Sequence, residues 1–369
     1  MFQSARGVFM KRVVKFRLYP SKRQKHEIFR LLGIHCNLYN YCREERITTY
    51  EKTKSSPSWV DQMKTSVPKF KGSINVSSLQ QTVRRLDKAF KNFFRRVKSG
   101  QKPGFPRFKK RLDSMDFTAG DGIKVKGNQL YIQHVGDVKM VVHRSLPDYS
   151  SATIKYQNGQ FYVSFVVEVP IKALEPSEKT VGLDFGLKTF ITTSDGQKFE
   201  SPKFLKQSLG KLQKLSRQRS KSTKGTPKYR QKSYQLRNLY RKITNQRQDF
   251  NHKLANRFIK DYGTIILEDL TMSELLSPIS NINRTYNDVS WAQFTQMLSY
   301  KAVNAGRRVI KVNPRNTSKT CSECGEIDES LTLDKREFSC PSCGHCQSRD
   351  ANAARNILTL GLQGLVNSA

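Results

Sequence analysis

Acidic residues are the scarce component of this chain. Its 369 residues include 30 Asp and Glu against 66 Lys and Arg, which gives a formal net charge of +36. Such an excess of cations attracts a polyanion, and the two biological candidates are nucleic acid and an anionic membrane surface. The basic residues are spread along the sequence rather than gathered on one amphipathic helix, which favours nucleic acid.

Long apolar runs are absent as well. No stretch reaches the roughly 18 apolar residues of a membrane-spanning helix. The start, MFQSARGVFMKRVVKFRLYP, lacks an apolar segment followed by a cleavage site, so we expect no signal peptide. Hydrophobic residues make up 37% of the chain, which is low for a compact enzyme but too high for a disordered protein. The length predicts two or three folding units rather than one core.

Several catalytic motifs are also missing. The sequence contains no P-loop, which would support ATP hydrolysis, and no Ser-His-Asp or Cys-His arrangement. Its seven cysteines are odd in number and follow no export signal, so we expect reduced thiols that bind metal rather than disulfides. Cys36 and Cys42 lie within a helical pattern and are expected to pack there.

The first half of the sequence predicts a β domain interrupted by helices. Residues 13–18, VVKFRL, predict a strand, and two helical patterns follow, KRQKHEIFRLLGIHCNLYNYCREERITTYEK and SSLQQTVRRLDKAFKNFFRRVKSG. After a basic loop at residues 100–111, segments of period two and the turn Asn158-Gly159 predict antiparallel strands. The second helix has an apolar stripe that we expect to be buried: Leu79, Val83, Leu86, Phe90, Phe93 and Phe94.

The second half mixes short strands with basic helices. TVGLDFGLKTFITTSDGQKF predicts two strands joined by a tight turn. Residues 204–261 predict a long helical stretch that Gly225 and Pro227 break into a hairpin, and its shortage of acid indicates a phosphate-contacting surface. TIILEDL predicts a buried strand, WAQFTQMLSYKAVNAG a helix closed by Gly306, and RRVIKVNP a further strand.

Four cysteines have the spacing of a metal site. Cys321, Cys324, Cys340 and Cys343 form C-x2-C-x15-C-x2-C, two thiolate pairs that can surround Zn2+ as a tetrahedron. Four sulfur ligands leave no open position, so the expected zinc is structural. His345 and Cys346 follow at once and could compete as ligands, although the simpler interpretation leaves them outside.

Three carboxylates stand in places where acids are unusual. Asp184 lies within an apolar strand pattern, where an unpaired carboxylate is costly, and Glu268 ends another such strand. Asp350 opens a helical segment and, taken alone, could be its N-cap. Taken together on a basic chain, they suit a phosphodiesterase in which two Mg2+ or Mn2+ ions about 4 Å apart are held by oxygen ligands. The adjoining Asp269 is expected to be a turn or capping residue.

Several segments resemble the TnpB proteins of bacterial insertion sequences, which are related to the type V CRISPR effector nucleases. They span most of the chain in the family's order: RLYPSKRQ, AFKNFFRRVKSGQKPGFPRFKK, GLDFGLKTF, QDFNHKLA, LEDL, TSKTCSECG and SRDANAARNIL. The resemblance implies an α+β multidomain fold. Its parts would be a wedge β-barrel with a helical recognition insertion and an RNase H-like (RuvC) α/β nuclease domain with an inserted zinc ribbon. It also implies Asp184, Glu268 and Asp350 as the metal-binding catalytic triad.

The same resemblance predicts domain boundaries. The wedge barrel would comprise residues 1–21 and 113–173, of which 1–9 are a possible extension, and the helical insertion residues 22–112. The nuclease domain would comprise residues 174–314 and 347–369, with the zinc ribbon at residues 315–346. The family usually has an acid two positions before the last catalytic Asp, where this chain has Ser348.

The function that the resemblance implies is RNA-guided cleavage of DNA. The partners would be a guide RNA transcribed from the element's end, with one protein per RNA, and double-stranded target DNA beside a short flanking motif. Localisation would be cytoplasmic, with nucleoid association on DNA. An RNase H-like transposase and a non-cleaving RNA-guided repressor stay open as alternatives. Motif alignment places four residues near the flanking duplex: Tyr50, Ser77, Gln80 and Thr118.

Overall fold

The computed structural model describes residues 9–70, 72, 74–270, 290–332 and 335–366. It forms two compact units, Phe9–Pro170 and a second unit from Ile171 onward. None of the helices in these described ranges is long and apolar enough to cross a membrane. The domain boundaries given above stay predictions.

The first unit is built on a seven-stranded antiparallel sheet that curls into a nearly closed barrel. Its strand order is β2-β6-β7-β1-β5-β4-β3. The first strand in sequence is thus central, pairing with β7 along its length and with β5 at its end. The strands are β1 Phe9–Tyr19, β2 Ser114–Thr118, β3 Ile123–Lys126, β4 Gln129–Ile132, β5 Gly136–Val141, β6 Tyr149–Gln157 and β7 Gln160–Pro170.

Alternation of side chains explains how this sheet forms a core. In β7 every second residue from Phe161 to Val167 is buried, as expected for a strand with one face inward. The predicted turn between β6 and β7 is confirmed: Asn158 and Gly159 have φ of 51° and 82°, the left-handed conformations that two-residue hairpin turns require.

The predicted helical insertion lies between β1 and β2. It contains α1 Lys22–Thr53, α2 Trp59–Thr65, a 3-10 turn Val67–Phe70 and α3 Val76–Lys98. Ser21 and Gln24 form a capping box at the start of α1, which satisfies N–H groups that the helix leaves unpaired. Most of the predicted apolar stripe of α3 is buried. Phe94, however, is 56% exposed, so its assignment to the core was wrong: it lies in the last turns of α3, where its ring contacts that of Phe93.

The second unit has a mixed five-stranded sheet. The order is β10-β9-β8-β11-β12, in which β10, β9 and β8 are antiparallel and β8, β11 and β12 are parallel. A separate two-stranded hairpin, β13 with β14, lies in the cysteine region. The strands are β8 Thr180–Asp184, β9 Thr189–Thr193, β10 Lys198–Glu200, β11 Thr264–Glu268, β12 Arg308–Val312, β13 Glu337–Ser339 and β14 Cys346–Ser348.

Four described helices accompany this sheet: α4 Phe204–Ser220, α5 Pro227–Asp261, α6 Trp291–Ala305 and α7 Arg349–Val366. The predicted break between α4 and α5 is confirmed, with Thr226 as N-cap and Pro227 at the first helical position. The predicted end of α6 is confirmed as well, because Gly306 adopts φ 66° there.

Candidate carboxylate and metal sites

Asp184 and Glu268 lie at the carboxyl ends of two adjacent parallel strands. β8 and β11 pair in parallel with Leu183 opposite Leu267, so the next residue of each strand is one of the two acids. Parallel strands present their carboxyl ends at the same edge of a sheet, where ligands bind in open α/β folds. The neighbouring Asp269 is exposed, and its carboxylate forms an ion pair with the Lys311 ammonium group at 2.7 Å.

The third predicted acid, Asp350, lies in the first turn of α7, which packs closely against β8. Gly182 permits this approach, because a Cβ at that position would overlap the carbonyl oxygen of Ala354. Farther along the helix, Gly361 lies against Ile266 of β11 in the same way. Glycines at both contacts let the helix backbone approach the sheet.

Asp350 is not the N-cap of α7, so that alternative interpretation was wrong. The helix begins at Arg349, and the hydroxyl of Ser348 accepts a hydrogen bond from the backbone N–H of Ala351 at 3.3 Å. This is the bond that an N-cap side chain makes. Ser348 therefore caps the helix, and the carboxylate of Asp350 is left to face its surroundings, including Arg349 at 3.9 Å.

The electrostatics of the three acids reflect their proximity. Desolvation raises the pKa of Asp184 well above its usual range, and the charges of Glu268 and Asp350 raise it further, while Arg349 opposes the shift. Asp184 retains some solvent exposure, but the surrounding protein is dense enough for desolvation to dominate. Burial also raises the pKa of Glu268, against the effect of a hydrogen bond from Thr317.

Glu268 is held in place by that hydrogen bond. The side chain is only 8% exposed, and the hydroxyl of buried Thr317 lies 2.6 Å from its Oε1. No described lysine or arginine forms an ion pair with Glu268 or Asp184. Two desolvated carboxylates that no described lysine or arginine pairs with are the arrangement that a bound cation would stabilise.

The four predicted cysteines form a compact cluster. Their sulfur atoms all lie within 4.8 Å of one another, and of the described residues only these four bring three or more potential ligand atoms so close. Cys321 Sγ lies 3.7 Å from Cys343 Sγ, and Cys324 Sγ lies 3.5 Å from Cys340 Sγ. His345 and Cys346 lie outside the cluster.

The two halves of the cluster have the same backbone turn. Gly325 N–H donates to the Cys321 carbonyl and Gly344 N–H to the Cys340 carbonyl, each at 3.0 Å. Both glycines have positive φ, 81° and 73°, which a residue with a side chain rarely adopts. Each turn therefore directs two thiols to one side, as thiolate ligands of one metal require.

Two asparagines of α7 connect this cluster to the carboxylates, and neither was predicted from the sequence. Asn352 donates to the Thr320 carbonyl at 2.6 Å and accepts from the Ser322 N–H at 2.9 Å. Asn356, one turn later, donates to the carbonyls of Thr317 and Thr320 at 2.8 and 2.6 Å. The available signal was the spacing of two amides four residues apart on a helix face that is otherwise alanine and isoleucine.

Of the four residues predicted near a flanking DNA duplex, two are in hydrogen-bond contact with each other. Ser77 Oγ and Thr118 Oγ1 lie 3.2 Å apart, where α3 meets β2. Gln81, which was not predicted, donates to the same Thr118 hydroxyl at 3.3 Å. Gln80 has no hydrogen bond to any described side chain, and Tyr50 lies exposed near the end of α1.

Three family models match the chain. Residues 10–55 match a model described as "Helix-turn-helix domain", residues 164–277 match "Probable transposase", and residues 291–357 match "Cas12f1-like, TNB domain". The last range contains the four clustered cysteines and Asp350. Over residues 10–55 the structure has strand β1 and one continuous helix, α1, rather than two helices around a turn.

A relative that aligns over nearly the whole chain shows the family to which the chain belongs. A protein of Streptomyces pristinaespiralis named "Putative RNA-guided DNA endonuclease" is 30% identical over 96% of this chain and 90% of its own length. The chain belongs to the TnpB family. A "TnpB-like protein" of Acanthamoeba polyphaga mimivirus is 27% identical over 58% of this chain and 44% of its own length.

The TnpB fold extends to CRISPR effectors. A chain of a Cas12f1 complex with guide RNA and target DNA superposes with a TM-score of 0.59 at 16% identity, covering 95% of this chain and 98% of the other. At that identity the likeness concerns the fold. This TnpB chain and Cas12 effectors thus share an architecture.

Proposed function

We propose that this chain is an RNA-guided DNA endonuclease whose nuclease site consists of Asp184, Glu268 and Asp350. One observation carries the proposal: three elements place three acids at one sheet edge, where burial and mutual repulsion raise the pKa of Asp184. In a chain of net charge +36, acids so placed indicate a site for cations, because no described lysine or arginine forms an ion pair with Asp184 or Glu268. The name of the Streptomyces relative supports cleavage of DNA as the reaction.

The nuclease unit is RNase H-like in this proposal. Support comes from the strand order β10-β9-β8-β11-β12, with three antiparallel strands followed by two parallel ones, and from acids at the ends of the two central strands. Two Mg2+ or Mn2+ ions, when bound, would activate water and stabilise the leaving oxygen of the phosphodiester. The oxygen ligands suit these hard cations.

The protein side chains have distinct tasks in this reaction. Thr317 orients Glu268 by its hydrogen bond, and burial of Glu268 keeps bulk water from that carboxylate. Ser348 caps α7 and so leaves Asp350 available as a ligand. Arg349 lies beside Asp350, where a guanidinium can offset carboxylate charge or contact a phosphate.

The cysteine cluster would hold a structural Zn2+. Four sulfur atoms within 4.8 Å of one another fit a tetrahedral site. With four thiolates bound, no coordination position remains for water, so this ion would stabilise the fold around Cys321 and Cys340 and take no part in hydrolysis.

Nucleic-acid partners follow from charge and from the relatives. A guide RNA from the element's end would bind the basic surfaces, including the α4–α5 hairpin, which has no acid in α4. Ser77, Gln80, Thr118 and Tyr50 would read a short motif beside the target. One protein would bind one RNA, and pairing between RNA and DNA would select the sequence.

A transposase is the second candidate, because residues 164–277 match a model described as "Probable transposase". The two functions differ in their products: a transposase joins strands, whereas a nuclease leaves free ends. A non-cleaving repressor is less favoured because all three acids are present.

The test begins with the bound RNA. The protein is expressed with its downstream native DNA and purified, and the RNA that stays bound is sequenced. One abundant species ending in element-flanking sequence defines a target, which is then offered with Mg2+ to wild type and to Asp184→Ala. Cleavage by wild type alone supports the proposal. Heterogeneous RNA with no enriched species, or joined strands as products, favours the transposase.

A further inference from the structure

The loop at residues 100–111 between α3 and β2 combines exposed aromatic rings with a cluster of basic side chains. Its sequence, GQKPGFPRFKKR, contains five basic residues and no acid. Phe105 is 45% and Phe108 64% exposed. Of these basic residues, only Arg111 forms an ion pair with a described residue, Asp113. Exposed phenylalanine beside uncompensated positive charge is costly for a surface that meets only water.

The loop is nonetheless held firmly against α1. Asn40 accepts from the Lys109 N–H at 2.9 Å and donates to the Lys109 carbonyl at 2.8 Å. Arg43 donates to the Pro106 carbonyl at 2.7 Å, and Pro106 is buried. These bonds fix the backbone on both sides of Phe108, so the ring projects from an ordered support. Ordering in advance reduces the entropy lost on binding.

The two phenylalanines differ in what they contact. Phe105 lies edge-on against Phe90 and Phe93, with ring centroids 5.7 and 5.3 Å apart, and Arg43 lies 5.7 Å over its ring. It anchors the loop to α3. No ring of another described residue contacts Phe108, and its side chain is 64% exposed, so a large part of it is accessible to a ligand.

We propose that this anchored loop, residues 100–111, binds unpaired nucleotides, with Phe108 stacking on a base and Arg107, Lys109 and Lys110 contacting phosphates. Aromatic rings beside cations are the usual means of holding single strands, because every base has a face to stack on and every linkage carries a charge. The bases of a duplex are already stacked on each other, so the loop discriminates against double strands. The inference rests on the proposed nucleic-acid function.

The test measures stacking directly. A short unstructured oligonucleotide carrying 2-aminopurine, whose fluorescence falls on stacking, is titrated with the full chain freed of bound nucleic acid. RNA and DNA versions of one sequence and a duplex control are compared. Phe108→Ala is expected to weaken single-strand binding about 5- to 150-fold and to abolish the quenching, whereas Phe108→Trp retains both. Phe9→Ala, which removes another exposed ring (61%), is the matched control and leaves binding unchanged.

The charge contribution has its own readout. Lys110→Gln is expected to reduce the slope of log affinity against log salt by about 0.7 for a single strand. An effect of Phe108→Ala with the RNA oligonucleotide assigns the loop to the guide, and an effect with the DNA oligonucleotide assigns it to the opened target; either supports the proposal. Unchanged affinity and quenching in Phe108→Ala for both strands, or a Phe108→Trp variant as weak as Phe108→Ala, would overturn it.

Failure of this inference is distinguishable from failure of the proposed function. If wild type cleaves guided DNA while Phe108→Ala binds both oligonucleotides normally, only the loop assignment is wrong. If wild type neither retains an RNA nor binds any oligonucleotide, the proposed function itself is wrong, and the loop assignment with it.

Discussion

The side-chain amide of Asn352 bridges the two backbone groups that flank Cys321. It donates to the carbonyl before the cysteine at 2.6 Å and accepts from the N–H after it at 2.9 Å, and Asn352 is fully buried. Asn352 follows Asp350 by two residues in the first turns of α7. The cysteine cluster and the third acid of the proposed site are therefore connected by one side chain.

This connection predicts that removing zinc impairs cleavage. In the double variant Cys340→Ser/Cys343→Ser two thiolates are lost, so the metal is released and the small core around Leu331 and Phe338 loses its support. We expect the zinc content to fall to near zero and cleavage to fall by at least about 10-fold. Zinc is measured by atomic absorption and cleavage on a guided target.

The matched control for that prediction is Cys346→Ser. Cys346 is exposed and lies outside the cluster, so this variant keeps both zinc and activity. Full cleavage by the zinc-free double variant would show that the cluster and the nuclease site are independent.

Substituting Asn352 separates positioning from metal retention. In Asn352→Ala the Ser322 N–H loses its acceptor, which costs about 1–3 kcal/mol for a buried group left unsatisfied, and the Thr320 carbonyl keeps only the hydrogen bond from Asn356. The four thiols remain, so the protein should retain zinc while needing more Mg2+ for half-maximal cleavage. Thr359→Ala on the same helix is the control, because the Thr359 hydroxyl donates to the carbonyl of Arg355 within its own helix. An unchanged Mg2+ requirement would contradict the positioning role.

The acids at the sheet edge should destabilise the metal-free protein. Asp184→Asn removes one desolvated charge and its repulsion with Glu268 and Asp350. We therefore expect the free energy of unfolding in EDTA to be about 1–2 kcal/mol higher for the variant than for wild type. Mg2+ should raise the Tm of wild type but not of the variant, and the variant should not cleave. Asp249→Asn, exposed on α5, should show neither effect. A less stable Asp184→Asn protein in EDTA would argue against a site built for cations.

A buried histidine should make the first unit sensitive to acid. His35 is fully buried between Ser78 and Thr82, with hydrogen bonds of 3.2 and 2.7 Å, and desolvation, assisted by Arg85, lowers its pKa to about 4. Between the ordinary pKa of 6.5 and about 4, the unfolded chain takes up a proton that the folded protein does not. Above pH 6.5 His35 is neutral in both states and does not reduce the free energy of unfolding. That free energy falls by about 3 kcal/mol as the pH drops through this range.

Urea unfolding between pH 4 and 7 checks this prediction. His35→Gln lowers stability at neutral pH but should show a flatter dependence on pH than wild type, whereas His26→Gln, an exposed change on the same helix, should keep the wild-type dependence. Parallel curves for wild type and His35→Gln would contradict the assignment.

Much of the local structure followed from sequence patterns. Alternation predicted β7, the turn residues Asn158 and Gly159 predicted its hairpin, and Pro227 predicted where α5 begins, because each depends on a few neighbouring residues. Phe94 was assigned wrongly because a helical stripe shows which side is apolar but not where the neighbouring element ends. The asparagines of α7 were missed because their partners lie 30 to 39 residues earlier in the chain.

The sequence by itself determined the basic charge, the reduced cysteines and the pairing of thiols within each C-x2-C turn, because composition and short spacing suffice for these. Only the tertiary structure decided that Asp184 lies beside Glu268, which depends on the register of β8 against β11. It also decided that α7 packs on Gly182, which brings Asp350 to the same edge. These relationships arise from close packing between distant segments, where the absence of one Cβ or the presence of one buried amide fixes the geometry.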